Sequence, residues 1–304
     1  MRIVTSGSQF LDIDAYGGCI AYAELLQKQG LAAQAVSSAP LNESVTLEIR
    51  GWDASLLTSY EASPDDRFTL IDVSDPEFFD PIVDLEHVER IIDHHPGFET
   101  QWAKLGDKSI IEYIGAACTL VYEQWRDAGK LDQMSEASAR LLVTGILDNT
   151  LDFKAGVTTD RDHAAYDDLI GRANLPYEDW PAEYFSQCQQ GIEADLTTAL
   201  RNDTKTMPPD RYLPRAFGQL VIWSAQDLLA KRRPEIAQAL GAISDDWVLN
   251  IISIEEGKSY FAADNPATQA KFGELMELDV SSGTAVADRL WLRKEILKRA
   301  QERV

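Results

Sequence analysis

At 304 residues, with 45% hydrophobic and 26% charged side chains, the chain has the composition of a folded globular protein and a length that suits two ordinary domains. Fifty acidic residues against 28 basic ones give a net charge of −22. That charge argues against nucleic acid or an anionic membrane as partner, and admits a small anion only where cations reverse the field locally. Cys19, Cys118 and Cys188 are odd in number and lack any CxxC spacing. They imply free thiols in a reducing compartment, not a disulfide frame or a thiolate zinc site. Met1–Thr5 runs into a strand-like segment without a signal-peptide core, and no apolar run has the length of a bilayer span. The expected location is cytoplasmic.

In chain order, Ile3-Val4-Thr5 reads as a strand, Ser6–Gln9 as a polar loop and Ala15–Gln29 as a helix, the opening unit of an α/β fold. Further strands are expected at Ala32–Val36, Val45–Ile49, Phe68–Asp72, Val88–Asp93 and Ser109–Tyr113. Helices are expected at Gly115–Ala128, Ser135–Leu147 and Thr159–Ala173, the last opened by a capping-box pair, Thr159 and Asp162. The β-branched runs separated by helices predict a mostly parallel sheet with helices on both faces. Pro176-Tyr177-Glu178-Asp179-Trp180-Pro181 reads as the start of a linker over residues 176–195. Beyond it we expect a helix near Ile192–Arg201, strands at Gln219–Trp223 and Val248–Ile254, a helix at Ala225–Leu240 and a basic final helix over Ala287–Arg303. The expected domains are 1–185 and 186–304, the second a smaller α/β domain closing over the cleft.

Polar residues collect at the predicted carboxyl ends of the strands, where ligands bind in such sheets. Asp12 and Asp14 follow the first strand, Asp72 ends another and Asp93-His94-His95 ends the next. Asp148-Asn149-Thr150 forms a further polar turn. Adjacent histidines project to opposite sides of an extended backbone, so both would rarely share one packing role. Hard oxygens with two imidazoles suit Mg²⁺ or Mn²⁺. The ordinary alternatives are a helix N-terminal acid pair at Asp12 and Asp14, a strand-end cap at Asp72, and surface positions for His87 and His163.

Taken as an ordered set, these segments resemble the DHH phosphoesterase superfamily, most closely its family II inorganic pyrophosphatase and exopolyphosphatase branch. The motifs are Gly7-Ser8-Gln9-Phe10-Leu11-Asp12-Ile13-Asp14, Leu70-Ile71-Asp72, Asp93-His94-His95, Gly115-Ala116-Ala117-Cys118-Thr119, Asn149–Lys154 and Thr159-Asp160-Arg161-Asp162. The resemblance continues, with shorter motifs, at Asp203-Thr204-Lys205 and Arg293-Lys294. It implies one metal held by Ser8, Asp12 and Asp72, and another held by Asp14, Asp72, His94 and Asn149. It also implies Asp72, His95 and Asp93 as the catalytic set, with Asp93 orienting its neighbouring histidine. His95, Lys205, Arg293 and Lys294 would bind substrate, and Lys154 could join them. Ser8 replaces the family's His or Asn, and Asn149 replaces an Asp, whose role Asp148 could take in a shifted register.

The implied activity is that of a Mn²⁺- or Mg²⁺-dependent phosphohydrolase acting on a small phosphorylated substrate, a phosphoanhydride such as pyrophosphate or short polyphosphate, by attack of a metal-activated water. The alternatives are a nucleotide or oligonucleotide phosphodiesterase, and a catalytically weak relative that binds phosphate compounds. The Gly-Gly-Gly-His signature of the exonuclease branch is missing. Related pyrophosphatases are often dimers, so a homodimer is the expectation that the resemblance carries.

Overall fold

The computed structural model describes residues 1–176 and 178–303; Tyr177, within the expected linker, and Val304 lie outside the described residues. The chain divides into two compact units, Met1–Tyr184 and the residues from Phe185 on. In the first, β1 (Arg2–Thr5), α1 (Ile13–Lys28), β2 (Ala33–Ala35) and a single-turn α2 (Leu47–Arg50) precede β3 (Arg67–Ile71) and β4 (Val88–Asp93). Then come α3 (Glu99–Trp102), β5 (Ser109–Ile111), α4 (Ala117–Asp127), α5 (Glu136–Asn149), α6 (Asp160–Ala173) and α7 (Trp180–Ala194), which crosses the boundary. All five strands are parallel, in the order β2-β1-β3-β4-β5. That order reverses direction between β1 and β3, and the crevice beyond their carboxyl ends is where such a sheet admits ligands.

Side-chain size explains how α1 reaches the centre of this unit. A Cβ on Gly18 would stand 2.6 Å from Ile71 Cγ2 in β3, and one on Gly17 would stand 3.1 Å from Leu141 in α5. Two small residues therefore let α1 press on the sheet and on α5 at once, and Ile13, Ile20, Leu25 and Leu26 are buried along it. Ile3, Phe68, Leu70, Val88 and Ile91 pack with Phe79 and Trp102 in one apolar cluster. Burial of side chains this size supplies about 1.5–3 kcal/mol each.

The second unit contains α8 (Leu196–Asn202), β6 (Thr204–Thr206), β7 (Ala216–Ile222), α9 (Gln226–Gly241), β8 (Trp247–Ser253), β9 (Lys258–Ala262), α10 (Pro266–Met276), β10 (Thr284–Ala287) and α11 (Arg293–Glu302). Its sheet, β10-β9-β8-β7-β6, is mixed: β7 and β8 pair in parallel and the other neighbours are antiparallel. Alternation along the strands builds two cores. Trp247, Leu249 and Ile251 pack with Leu240 and Ile236, while Val248, Phe217 and Phe261 pack with Phe272 and Ile296.

Three expectations are corrected. Val45–Ile49 is not a strand: Thr46 caps α2, its Oγ1 accepting the Ile49 N–H at 3.4 Å, and Leu47 is exposed. Five β-branched-rich residues carry no sheet signal once a local cap competes for the backbone. Residues 180–194 are helix α7 and not linker. Pro181 falls in its first turn, where no N–H is needed, and Trp180 is buried, its Nε1–H donated to Thr144 Oγ1 at 3.2 Å. Ala287 ends a strand paired with Ser259, so the final helix starts only at Arg293.

Candidate metal centre

The loop after β1 is shaped by capping. Asp12 is the N-cap of α1, with its Oδ1 accepting the Ala15 N–H at 2.9 Å. Asp14, in the first turn, is fully buried and meets the N-terminus of α4, where its Oδ2 and Oδ1 accept the N–H groups of Ala117 and Cys118 at 2.8 and 2.7 Å. That end of α4 is held in turn by Asp162, which accepts from Gly115 N–H (3.1 Å), the Thr119 hydroxyl (2.6 Å) and both N–H and hydroxyl of Thr159 (2.8 Å each). The Gly115–Thr119 and Thr159–Asp162 motifs thus meet in one buried carboxylate that fixes the donors of Asp14. Asp162→Ala strands four donors, so unfolding stability should fall by about 3 kcal/mol or more, read from denaturant midpoints. An unchanged midpoint would remove Asp162 from this role.

Asp72 follows β3 with φ +61°, a left-handed conformation that Asp tolerates better than most residues. Its N–H is donated to Ile92 O at 2.8 Å, and its Oδ1 is buried without a hydrogen bond. That oxygen lies 3.3 Å from His94 Nε2 and 3.6 Å from His95 Nδ1. Contrary to the opposite-sides expectation, the two imidazoles meet edge to face with centroids 4.3 Å apart. The reason is that β4 ends at Asp93, so both histidines lie beyond the strand, His94 in a bend. His94 Nδ1–H is donated to Ile114 O at 3.1 Å, which leaves Nε2 turned to Asp72. His95 Nδ1–H is donated to Asp93 Oδ1 at 2.9 Å, and its ring is 65% exposed.

Charge at this place is unbalanced. Burial, then the charges of Asp72 and Asp14, push the Asp12 carboxyl well up, and Asp148 adds to the effect. Burial, then Asp72, raise Asp14 to about 7. Burial works against a charged His94, but Asp72 and Asp14 outweigh it and hold the imidazole at about 10. Burial likewise opposes charge on His95, and Asp93 outweighs it and raises that histidine. Carboxylates that drive one another's proton affinity up in a buried site are what a divalent cation relieves. Asp72, His94 and His95 each offer one ligand atom, all within 4.8 Å of one another. The donor set and the unpartnered Asp72 oxygen fit Mn²⁺ or Mg²⁺.

The remaining candidates are placed as follows. Ser8 donates its hydroxyl to Phe78 O at 3.2 Å. Asn149 is the last residue of α5, and its buried Nδ2 has no hydrogen-bond partner. Asp148, which burial raises to about 6, accepts from the Tyr184 hydroxyl at 2.8 Å. Lys154 pairs with Asp152 at 2.8 Å. His87 pairs with Asp84 at 3.2 Å, and His163 stacks on Phe153 with centroids 4.4 Å apart.

In the second unit, Lys205, Arg293 and Lys294 line one cavity of about 200 Å³ with Gln219, Leu292 and Leu297. Arg293 is mostly buried. Its guanidinium donates to Asp203 Oδ1 (2.5 Å), Asp203 O (2.7 Å) and Phe217 O (3.2 Å). Desolvation holds the Lys294 ammonium below the usual lysine range. Sequence reading missed Tyr184 and placed Asp162 and Asp203 in motifs without their bracing roles, because each acts on a residue far away in the chain.

Acids and imidazoles at the strand ends of a parallel sheet, placed at its switch point, define an α/β protein with a candidate divalent-metal centre. Residues 2–146 match the model of the DHH family, N-terminal domain. Over 229 residues the chain is 30% identical to the probable manganese-dependent inorganic pyrophosphatase of Deinococcus radiodurans, covering 69% of this chain and 67% of that protein. The chain therefore belongs to the DHH family. It is 27% identical over 177 residues to the probable manganese-dependent inorganic pyrophosphatase of Lactobacillus helveticus, a match that spans 57% of this chain and only 56% of that protein. In fold it is similar to a Methanococcus jannaschii protein assigned to the family II inorganic pyrophosphatases, with a TM-score of 0.66 and 18% identity over 99% of this chain and all of that one. An exopolyphosphatase-related protein from Bacteroides fragilis gives a TM-score of 0.51 at 14% identity, over 99% of this chain and 90% of that one.

Proposed function

We propose that the protein is a Mn²⁺- or Mg²⁺-dependent phosphohydrolase that cuts a phosphoanhydride, pyrophosphate or short polyphosphate. The observation that carries this reading is the Asp72, His94 and His95 group, flanked by Asp12 and Asp14, at the switch point of a parallel sheet. The names borne by the D. radiodurans and L. helveticus relatives support it. Asp12, Asp14, Asp72 and His94 would hold the cations, and Ser8 and Asn149 are neutral where the resemblance implies further ligands. Bound cations would supply Lewis acidity and neutralise charge on phosphate oxygens.

The chain's own groups do the rest. Asp93 fixes the His95 ring through Nδ1, so its exposed Nε2 is free to hydrogen-bond a phosphate oxygen. Ile114 O fixes His94, whose Nε2 is thereby the atom presented to a cation. Lys205 and Lys294 provide fixed positive charge for an anionic substrate in a chain of net charge −22. Hydrolysis adds one water across P–O–P and leaves two phosphates. Among the described residues no helix is long and apolar enough to cross a membrane, and the three cysteines are free and buried. The free thiols support a cytoplasmic setting.

The test is orthophosphate release by the full chain from pyrophosphate and tripolyphosphate, run beside phosphodiester cleavage of dinucleotides and cyclic nucleotides to their monoesters, with Mn²⁺ or Mg²⁺. Turnover of the first two is expected and should stop in chelator. Cleavage confined to the nucleotides would overturn the substrate class. A weak, phosphate-binding protein is the second reading, favoured by the Ser8 hydroxyl lying on Phe78 O. In that case Mn²⁺ calorimetry would show a single weak site.

A further inference from the structure

The last turn of α5 presents two side chains of different charge to the start of α1. A Cβ on Gly17 would lie 3.1 Å from Leu141, and one on Gly145 would lie 3.3 Å from the Asp14 Cα. Four residues forward along α5 therefore match three residues back along α1, so the two helices run antiparallel. One further turn brings residues 148 and 149 level with the Asp12 cap. Both positions thus arrive at the same end of the acidic group.

Their side chains are held differently. Asp148 Oδ1 accepts from Tyr184 at 2.8 Å, and that hydroxyl lies 3.2 Å from Ser44 O. The Ser44 hydroxyl oxygen accepts the Ile13 N–H at 2.8 Å, which ties this arrangement to the backbone beside Asp12. Asp148 Oδ2 takes no hydrogen bond among the described residues. Asn149 is neutral, and its buried Nδ2 has no hydrogen-bond partner. A hard cation prefers an oriented anionic oxygen to an amide.

We infer that Asp148, oriented by Tyr184, is the α5 side chain that serves the divalent cation, and that Asn149 is not. The inference rests on the proposed function only for the identity of the cation. Tyr184 is a positioning residue: its hydroxyl engages one carboxylate oxygen and directs the other.

The test is Mn²⁺ titration calorimetry on the full chain, with circular dichroism and thermal unfolding as fold controls. Asp148→Asn should weaken Mn²⁺ binding about 10–100-fold, and Tyr184→Phe about tenfold, the usual scale for a ligand or its supporting hydrogen bond. Asp148→Glu should recover part of the loss, and Asn149→Ala should stay within about threefold of the parent, since no ligand is removed. Should Asp148→Asn fail to fold, Tyr184→Phe with Asp148→Glu decides. Parent-like Mn²⁺ affinity in the Asp148 and Tyr184 variants, or a larger loss in Asn149→Ala, overturns the inference. A parent chain that binds no Mn²⁺ overturns it as well. If the parent binds Mn²⁺ but releases no orthophosphate, the proposed function fails and this inference stands. If the parent hydrolyses pyrophosphate and Asp148→Asn binds Mn²⁺ normally, this inference alone fails.

Discussion

Asp72→Asn is expected to lower kcat/KM for pyrophosphate by roughly 10³-fold or more, because each decade is 1.36 kcal/mol and charge stabilisation by a held cation is worth several kcal/mol. Asp72 stands between the two histidines, with an oxygen 3.3 Å from His94 Nε2 and 3.6 Å from His95 Nδ1, and its side chain is only 9% exposed. Asn is the informative replacement because it keeps the shape and tolerates φ +61°. Mn²⁺ affinity should fall in parallel, while the circular dichroism spectrum in chelator stays that of the parent. Asp72→Ala should abolish orthophosphate release, at the added cost of placing Ala in a left-handed conformation. Unchanged turnover in either variant would remove Asp72 from the centre. A loss of turnover with full Mn²⁺ affinity would move it from holding the cation to contacting the substrate.

The parallel sheet was legible because its strands are short β-branched runs that end on acids, a pattern read without knowing any contact. Asp12, Asp14, Asp72 and Asp93-His94-His95 were legible for the same reason: strand ends of one parallel sheet converge. Less legible was how those side chains are held. Nothing local says that Asp14 binds the start of α4 or that Asp162 fixes that start, because these partners lie 103 and 47 residues apart. The linker reading failed at Pro181, where proline opens a helix and does not break one. The histidine pair was misjudged by treating it as extended backbone, when the strand stops one residue earlier. In the second unit, β9, α10 and β10 were missed. Asn265 caps α10 and Pro266 opens it, a local helix-start signal carried by the sequence itself.

Lys294→Ala and Lys205→Ala should each lower kcat/KM for pyrophosphate by about 10–100-fold, the loss expected when a fixed charge facing phosphate is removed, with unfolding midpoints close to the parent's. Both lysines line the cavity, and neither forms an ion pair among the described residues. Arg293 differs from them. Its guanidinium spans Asp203 Oδ1, Asp203 O and Phe217 O, so it braces β6 against β7 before any phosphate arrives. Arg293→Ala should therefore lower the unfolding midpoint as well as activity. Arg293→Lys should not recover it, because one ammonium on a flexible stem cannot reproduce a planar fork across three acceptors. If Arg293→Lys keeps the parent midpoint while KM rises, Arg293 binds phosphate directly and the bracing role falls. If both lysine variants turn over pyrophosphate like the parent, the cavity is not the anion site. The field of a chain at −22 would then have to be reversed by the cations held at Asp72 alone.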